Sequence, residues 1–279
     1  MIDIDGRSLR LVRAGPASSD RPSVLLEHGA FGCATDWAVV QERLAAQGLR
    51  SLAYDRAGLG YSDPGPSPRD GKAIVADLEK LLAKVGEHGP YVLVAHSMGG
   101  LFARLFAARH PDHVRGVVLV DAVTPEVIDG RLFAAGIHAF RGAMRLAGWT
   151  AWTGYMSPVS LVIGDRIGLS GAAAVEKRQI YALSTHTRWA AQEVHHWPAA
   201  SRQSREAGDF RPDHPVAVVT AGHEGSVPRL KAIQTAPARA SRRGYVEHVA
   251  GSTHANLLGG RFADRIVRGV EHVLEAAPS

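Results

Sequence analysis

At 279 residues, with 46% hydrophobic and 21% charged, the chain has the make-up of one sizeable globular domain, and no apolar run approaches the roughly 18 residues a membrane span needs. Its 32 Lys and Arg against 27 Asp and Glu give a formal charge of +5, scattered without a dense basic run or interleaved aromatics, which argues against nucleic acid as a partner. The single cysteine, Cys33, excludes an internal disulfide and a thiolate-cluster metal site, and residues 1–7 lack a secretory pattern, so a cytoplasmic location is expected.

The first buried-strand candidate is the apolar run 23–26, which leads into His28-Gly29-Ala30-Phe31-Gly32. Glycines there allow a tight turn that aims backbone N–H groups inward. The N–H of Ala30, with that of Phe31 as the alternative, is therefore a candidate oxyanion donor. His28 reads as a structural hydrogen-bonding residue. After a second run at 51–54, Ile74, Leu78, Leu81, Leu82 and Val85 recur at helical spacing with charges on the other faces, as in a helix crossing over a sheet. The run 91–94 then enters Ala95-His96-Ser97-Met98-Gly99, and a helix-like stretch follows at 100–106. Small residues two before and two after the serine let the chain turn sharply from strand to helix. That turn lifts the Ser97 hydroxyl clear and directs the Met98 N–H toward an oxyanion; Ala95 stands where glycine is usual.

A further strand at 116–120 ends on Asp121. From about 123 to 211 no strong strand is evident, and the segment reads as a mainly helical lid insertion. It carries Trp149, Trp152, Trp189 and Trp197, chiefly as lid core with one or two lining an apolar pocket. His195 and His196 adjoin on a predicted lid helix with side chains directed apart, and no third ligand is near enough to suggest a metal. The order resumes with a strand at 216–219, a helix around 227–235, a strand at 244–249 and a closing helix from about 256 to 275. Alternating strands and helices predict a right-handed, doubly wound, mostly parallel α/β sheet that binds ligands at the carboxyl ends of its strands. Its core comprises 1–122 and 212–279, with the lid at 123–211. His254, in the loop Gly251-Ser252-Thr253-His254-Ala255-Asn256, is the candidate general base for a Ser97 nucleophile.

Taken in order, these motifs resemble the α/β-hydrolase fold superfamily over nearly the whole chain. The segment Tyr54-Asp55-Arg56-Ala57-Gly58-Leu59-Gly60-Tyr61-Ser62-Asp63-Pro64 resembles the loop after the next strand in many members. There Asp55, Arg56 and the glycines shape the loop, so Asp55 and Asp63 stay outside the catalytic set. Many relatives place the acid in Gly-x-x-Asp after the strand that follows the lid, but Thr220-Ala221-Gly222-His223-Glu224-Gly225 has glycine at that place. Glu224 is one candidate acid. The favoured one is Asp121, which matches the acid position of a subset of haloalkane dehalogenases. Likeness to those enzymes and to epoxide hydrolases extends to fold and not to reaction, because the nucleophile here is serine.

The resemblance implies a serine hydrolase, needing no cofactor and no metal, that cleaves a carboxylic ester or related acyl bond in a small molecule with an apolar portion. Lactonase, thioesterase, amidase or peptidase, and carbon–carbon bond hydrolase are the alternatives on the same residues. A ligand-binding protein that kept the fold and lost the chemistry is the rival outside enzymes. Oligomeric state stays open.

Overall fold

The computed structural model describes residues 1–18, 20–130, 136, 138–140, 142, 143, 146 and 165–277. Strands β1 (Ile2–Asp3) and β2 (Ser8–Leu9) form a small antiparallel pair. The main sheet contains β3 (Leu11–Ala14), β4 (Ser23–Glu27), β5 (Ser51–Tyr54), β6 (Tyr91–His96), β7 (Val114–Val120), β8 (Val216–Ala221) and β9 (Gly244–Val249), in the spatial order β3-β5-β4-β6-β7-β8-β9. Every pairing is parallel except that of β3 with β5. The doubly wound, mostly parallel sheet read from the sequence is therefore the fold. Strands β1 to β3 are additions that the sequence reading did not include.

Alternation along the strands explains the layering. Leu25, Leu93, Val117 and Leu119 face one core, while Val24, Leu26, Val92, Val94, Val118 and Val120 face the other. A strand buried on both faces needs such unbroken apolar runs, and helices must cover each side. The helices whose full extent is described include α1 (Ala38–Ala46), α2 (Gly71–Lys84) and α3 (Gly99–Arg109), then α4 (Pro125–Ile128), α5 (Gly171–Ala182), α6 (Ser184–His195) and α7 (Trp197–Glu206), and finally α8 (Pro228–Ala240) and α9 (Ala263–Ala276). Helices α1 and α9 pack together over one face, and α2, α3 and α7 over the other. Asp70 caps α2 by accepting a hydrogen bond from the Ala73 N–H at 3.0 Å.

The largest boundary shifts fall on two helices. The closing helix starts at Ala263, because Asn256–Leu258 forms a separate 3-10 turn before Gly259 and Gly260. Helix α8 continues through Pro237 to Ala240, five residues beyond the predicted end. Strands β7 and β8 are sheet neighbours although residues 121–215 lie between them, and α4 to α7 belong to that insertion. Trp149 and Trp152 fall outside the described residues. No helix among the described residues is long and apolar enough to cross a membrane.

Candidate active site

Strands β6, β7 and β9 of the parallel sheet deliver three side chains to one place beyond their carboxyl ends. After β6 the backbone turns at Ser97, which takes φ +54°, a left-handed conformation that costs a non-glycine residue about 1–3 kcal/mol. The turn is held from several sides: the Ser97 N–H donates to Val120 C=O at 3.1 Å, and the Ser97 C=O accepts from Gly100 (3.1 Å) and Val123 (2.8 Å). After β7, Asp121 takes φ +42° with its N–H on Val219 C=O at 2.7 Å. After β9, a turn through Gly251 carries the chain to His254, and the Thr253 N–H donates to Asn256 Oδ1 at 2.7 Å.

Side chains of Ser97, His254 and Asp121 form one hydrogen-bonded line. Ser97 Oγ lies 3.0 Å from His254 Nε2, and His254 Nδ1 lies 2.6 Å from Asp121 Oδ2. With Nδ1 protonated toward the carboxylate, Nε2 is left to accept the serine proton. The other carboxylate oxygen, Oδ1, accepts from the Ala221 N–H (3.2 Å) and Gln234 Nε2 (3.1 Å). Burial alone would raise the Asp121 pKa, but the hydrogen bond and charge of His254 outweigh it, helped by the Ala221 N–H and Lys231, and hold it below the usual carboxylate value. Glu224 lies exposed on the 222–225 loop, where its charge acts on His248, and it has no bond to His254 among the described residues.

His96, which the sequence reading quoted without a role, braces the histidine loop. Its Nε2–H donates to the backbone C=O of His254 at 2.9 Å, and the two rings lie 4.6 Å apart. Burial, with the neighbouring His254, pushes its pKa down to about 3, so the ring stays neutral.

The loop after β4 packs against Ser97. A Cβ on Gly29 would stand 2.9 Å from Ser97 Cβ and 3.0 Å from His96 Nδ1, so only glycine fits this approach. The Gly32 N–H closes a turn on Gly29 C=O at 3.2 Å, with Phe31 left-handed at φ +56° inside it. The N–H groups of Ala30, Phe31 and Met98 have no acceptor among the described residues.

A cavity of about 530 Å³ opens onto Ser97 and His254 and is walled by Phe31, Phe140, Ile167, Tyr181, Trp197 and Leu258. Trp197 stacks on Phe140 with ring centroids 5.4 Å apart, whereas Trp189 covers Gly58. Charged residues also line this space: Asp165 and Arg166, and the buried pair of Lys177 and Asp36. Lys177, buried on α5, bonds Asp36 and sits 4.3 Å from the Tyr181 ring centre. Burial would lower the ammonium pKa, but Asp36 holds it well above the ordinary lysine value. Behind the wall, burial pushes the Cys33 thiol up to about 12, leaving it an inert small side chain.

A second buried charge cluster lies beneath the Gly29 turn. Arg56 bonds Glu27 at 2.5 Å and Glu193 of α6 at 2.8 and 2.9 Å. Burial opposes its charge, yet Glu193 and Glu27 raise its pKa further above the arginine value. Sequence reading assigned Arg56 a loop-shaping role and passed over Glu193, Lys177 and His186, whose helices carry no motif. It also expected the His195 and His196 rings to diverge. They lie 5.1 Å apart, edge to face, because α6 ends at His195 and His196 bends the chain into α7.

Burial holds His28, His96 and His186 below the ordinary imidazole value, the last two at about 3. The unfolded chain takes up protons at these sites near pH 6.5 while the folded chain refuses them. Their stabilising contribution is therefore full above about pH 6.5 and is lost as pH falls toward 3. Denaturant titrations at about pH 7.5, 6 and 5 should show unfolding free energy falling as the pH drops below about 6. Constant stability across that range would contradict this reading.

A family model described as the alpha/beta hydrolase fold matches residues 22–143. An uncharacterised protein of Schizosaccharomyces pombe is 30% identical over 181 residues, covering 62% of this chain and 31% of that protein. An sn-1-specific diacylglycerol lipase of Mus musculus is 35% identical over 125 residues, covering 44% of this chain and 39% of the lipase. The chain thus spans well under half the length of either relative. A thermophilic esterase from Thermogutta terrifontis superimposes with a TM-score of 0.68 over 96% of this chain and 94% of its own, at 19% identity, which shows the fold. Its sheet order and these likenesses show that the chain has the α/β-hydrolase fold, with residues 22–143 matching that family's model.

Proposed function

We propose that the protein is a serine hydrolase that cleaves a carboxylic ester or a close acyl relative. The observation that carries this reading is the unbroken line Ser97–His254–Asp121 at the mouth of a largely apolar cavity. Ser97 Oγ attacks the acyl carbon as its proton passes to His254 Nε2. The carbonyl oxygen becomes an oxyanion held by the N–H groups of Ala30 and Met98. Collapse breaks the bond to the leaving alcohol, which takes the proton from His254. Water then attacks the acyl-enzyme, His254 accepts its proton, and release of the acid returns that proton to Ser97 Oγ. Asp121 is the acid that keeps His254 in the working tautomer and stabilises the imidazolium.

Ala30 is preferred over Phe31 as the first donor. Arg56 Nη2 holds Gly29 C=O at 2.9 Å, and in a trans peptide the following N–H points the opposite way. The 123–211 insertion serves as the lid, supplying Trp197, Ile167 and Tyr181 to the cavity, and these favour an acyl or alcohol group with an apolar portion. The ester-cleaving mouse relative supports the same reaction class. Treatment with a fluorophosphonate probe should give a covalent adduct mapping to Ser97, absent in Ser97→Ala. Folded protein that forms no adduct would overturn the proposal.

A further inference from the structure

One face of α6 reaches the turn that displays Ala30. His186, Trp189 and Glu193 recur at spacings of three and four, which puts them on one side of the helix. His186 sits between two loops. Its Nδ1 accepts the Gly60 N–H at 3.0 Å, so the proton is on Nε2, which donates to Phe31 C=O at 3.2 Å. Glu193 accepts from Nε and Nη2 of Arg56 at 2.9 and 2.8 Å. Arg56 in turn donates to His28 C=O at 2.7 Å and to Gly29 C=O at 2.9 Å. Trp189 lies between these two grips, over Gly58, where a Cβ would come within 2.2 Å of the indole.

The geometry reduces to the direction of peptide planes. The turn from Gly29 to Gly32 is closed by the Gly32 N–H on Gly29 C=O, and His28 Nδ1 stands 2.9 Å from the same oxygen. Anchoring Gly29 C=O on Arg56 sends the Ala30 N–H the other way, and anchoring Phe31 C=O on His186 fixes the Gly32 N–H that closes the turn. Helix α6 therefore acts on both peptides that flank the dipeptide Ala30-Phe31. His186, Arg56 and Glu193 are all buried, so each of these bonds lies where water does not compete.

We propose that His186 and Glu193 are positioning residues for the oxyanion hole: the insertion helix sets the direction of the Ala30 N–H, through one direct hydrogen bond and through Arg56. This rests on the acyl-transfer reading above. It makes the insertion part of the apparatus that stabilises the transition state as well as the wall of the substrate cavity. A purely architectural role for the two residues predicts something else, a loss of stability with transition-state binding unchanged.

The test compares the full-length protein with Glu193→Gln, His186→Leu and His186→Gln. Glutamine at 193 keeps the shape and leaves Arg56 paired with Glu27, but weakens the grip on the guanidinium. Leucine at 186 removes the donor to Phe31, and glutamine there places an amide N–H near the Nε2 position. Three readouts apply: the rate of fluorophosphonate labelling at Ser97, kcat and KM for p-nitrophenyl butyrate, and affinity for phenylboronic acid, whose serine adduct places a hydroxyl in the oxyanion position. Glu193→Gln and His186→Leu should each lower the labelling rate, kcat and boronic-acid affinity by about 10- to 100-fold, with KM within about threefold. His186→Gln should restore most of the loss.

Amide exchange of residues 28–34 should quicken in the two weakened variants, and this reports the grip independently of catalysis. Wild-type boronic-acid affinity in folded variants, or unchanged exchange over 28–34, would overturn the proposal. Should His186→Leu fail to fold, Glu193→Gln carries the same comparison. A wild-type protein without a Ser97 adduct defeats the hydrolase reading instead, while a labelled wild type with indifferent variants defeats only the positioning role.

Discussion

Asparagine at position 121 should lower kcat by about 10⁴-fold, with KM little changed and the fold intact. The size of the effect follows from where the carboxylate oxygens are spent. Oδ1 already accepts from the Ala221 N–H and Gln234 Nε2, so an asparagine will keep its own oxygen there and turn its NH₂ toward His254. An NH₂ facing Nδ1 selects the imidazole with its proton on Nε2. That tautomer meets Ser97 with a donor and cannot take the serine proton. Glu224→Gln, on an exposed loop, should leave kcat within about twofold, as expected of a surface change. Steady-state kinetics on both variants, with circular dichroism to verify folding, decide the matter. A large loss in Glu224→Gln with a silent Asp121→Asn would move the acid to Glu224.

Alanine at position 29 should lower kcat by about 10²- to 10³-fold, the magnitude associated with losing one oxyanion donor. Its methyl would stand 2.9 Å from Ser97 Cβ and 3.0 Å from a ring nitrogen of His96. Neither is the free end of a flexible chain: Ser97 is locked in its turn, and His96 is held by His254 C=O. The loop must withdraw, taking the Ala30 N–H with it. Boronic-acid affinity should fall in parallel with kcat. A variant that binds the boronic acid as tightly as wild type would show that the loop does not touch the transition state.

How much of this was legible in the sequence depends on the distance over which each feature is encoded. The valine-rich strands and the helix carrying Ile74 to Val85 announce themselves, because burial on two faces, or on one stripe, writes a local pattern. Ser97, His254 and the Gly29 turn were legible because each sits immediately after such a strand, where a parallel sheet presents its loops. β3 was not: Leu11-Val12-Arg13-Ala14 is a short, partly exposed edge strand with no sustained alternation. Asp121 and Glu224 stayed in competition because both follow strands, and only the tertiary structure brings Asp121 to 2.6 Å from His254. Arg56 and Glu193 are 137 positions apart and join through tertiary contact alone. No window along the chain contains both. For the same reason, His186 and Lys177 read as ordinary polar members of amphipathic helices.

The left-handed backbone at Phe31, Ser97 and Asp121 has a consequence for how this protein would age or fail. Three strained residues in one site store energy that the ends of β4, β6 and β7, and at Phe31 the bond from His186, hold in place. Relaxation of any of them is downhill locally, so a modest loosening of those strand ends frees the loops while the sheet behind still stands. Heat or mild denaturant will then silence the protein while its bulk spectroscopic signature remains native. Loss of the proposed activity should then precede unfolding, the first marking the tolerance of a few turns rather than the strength of the fold.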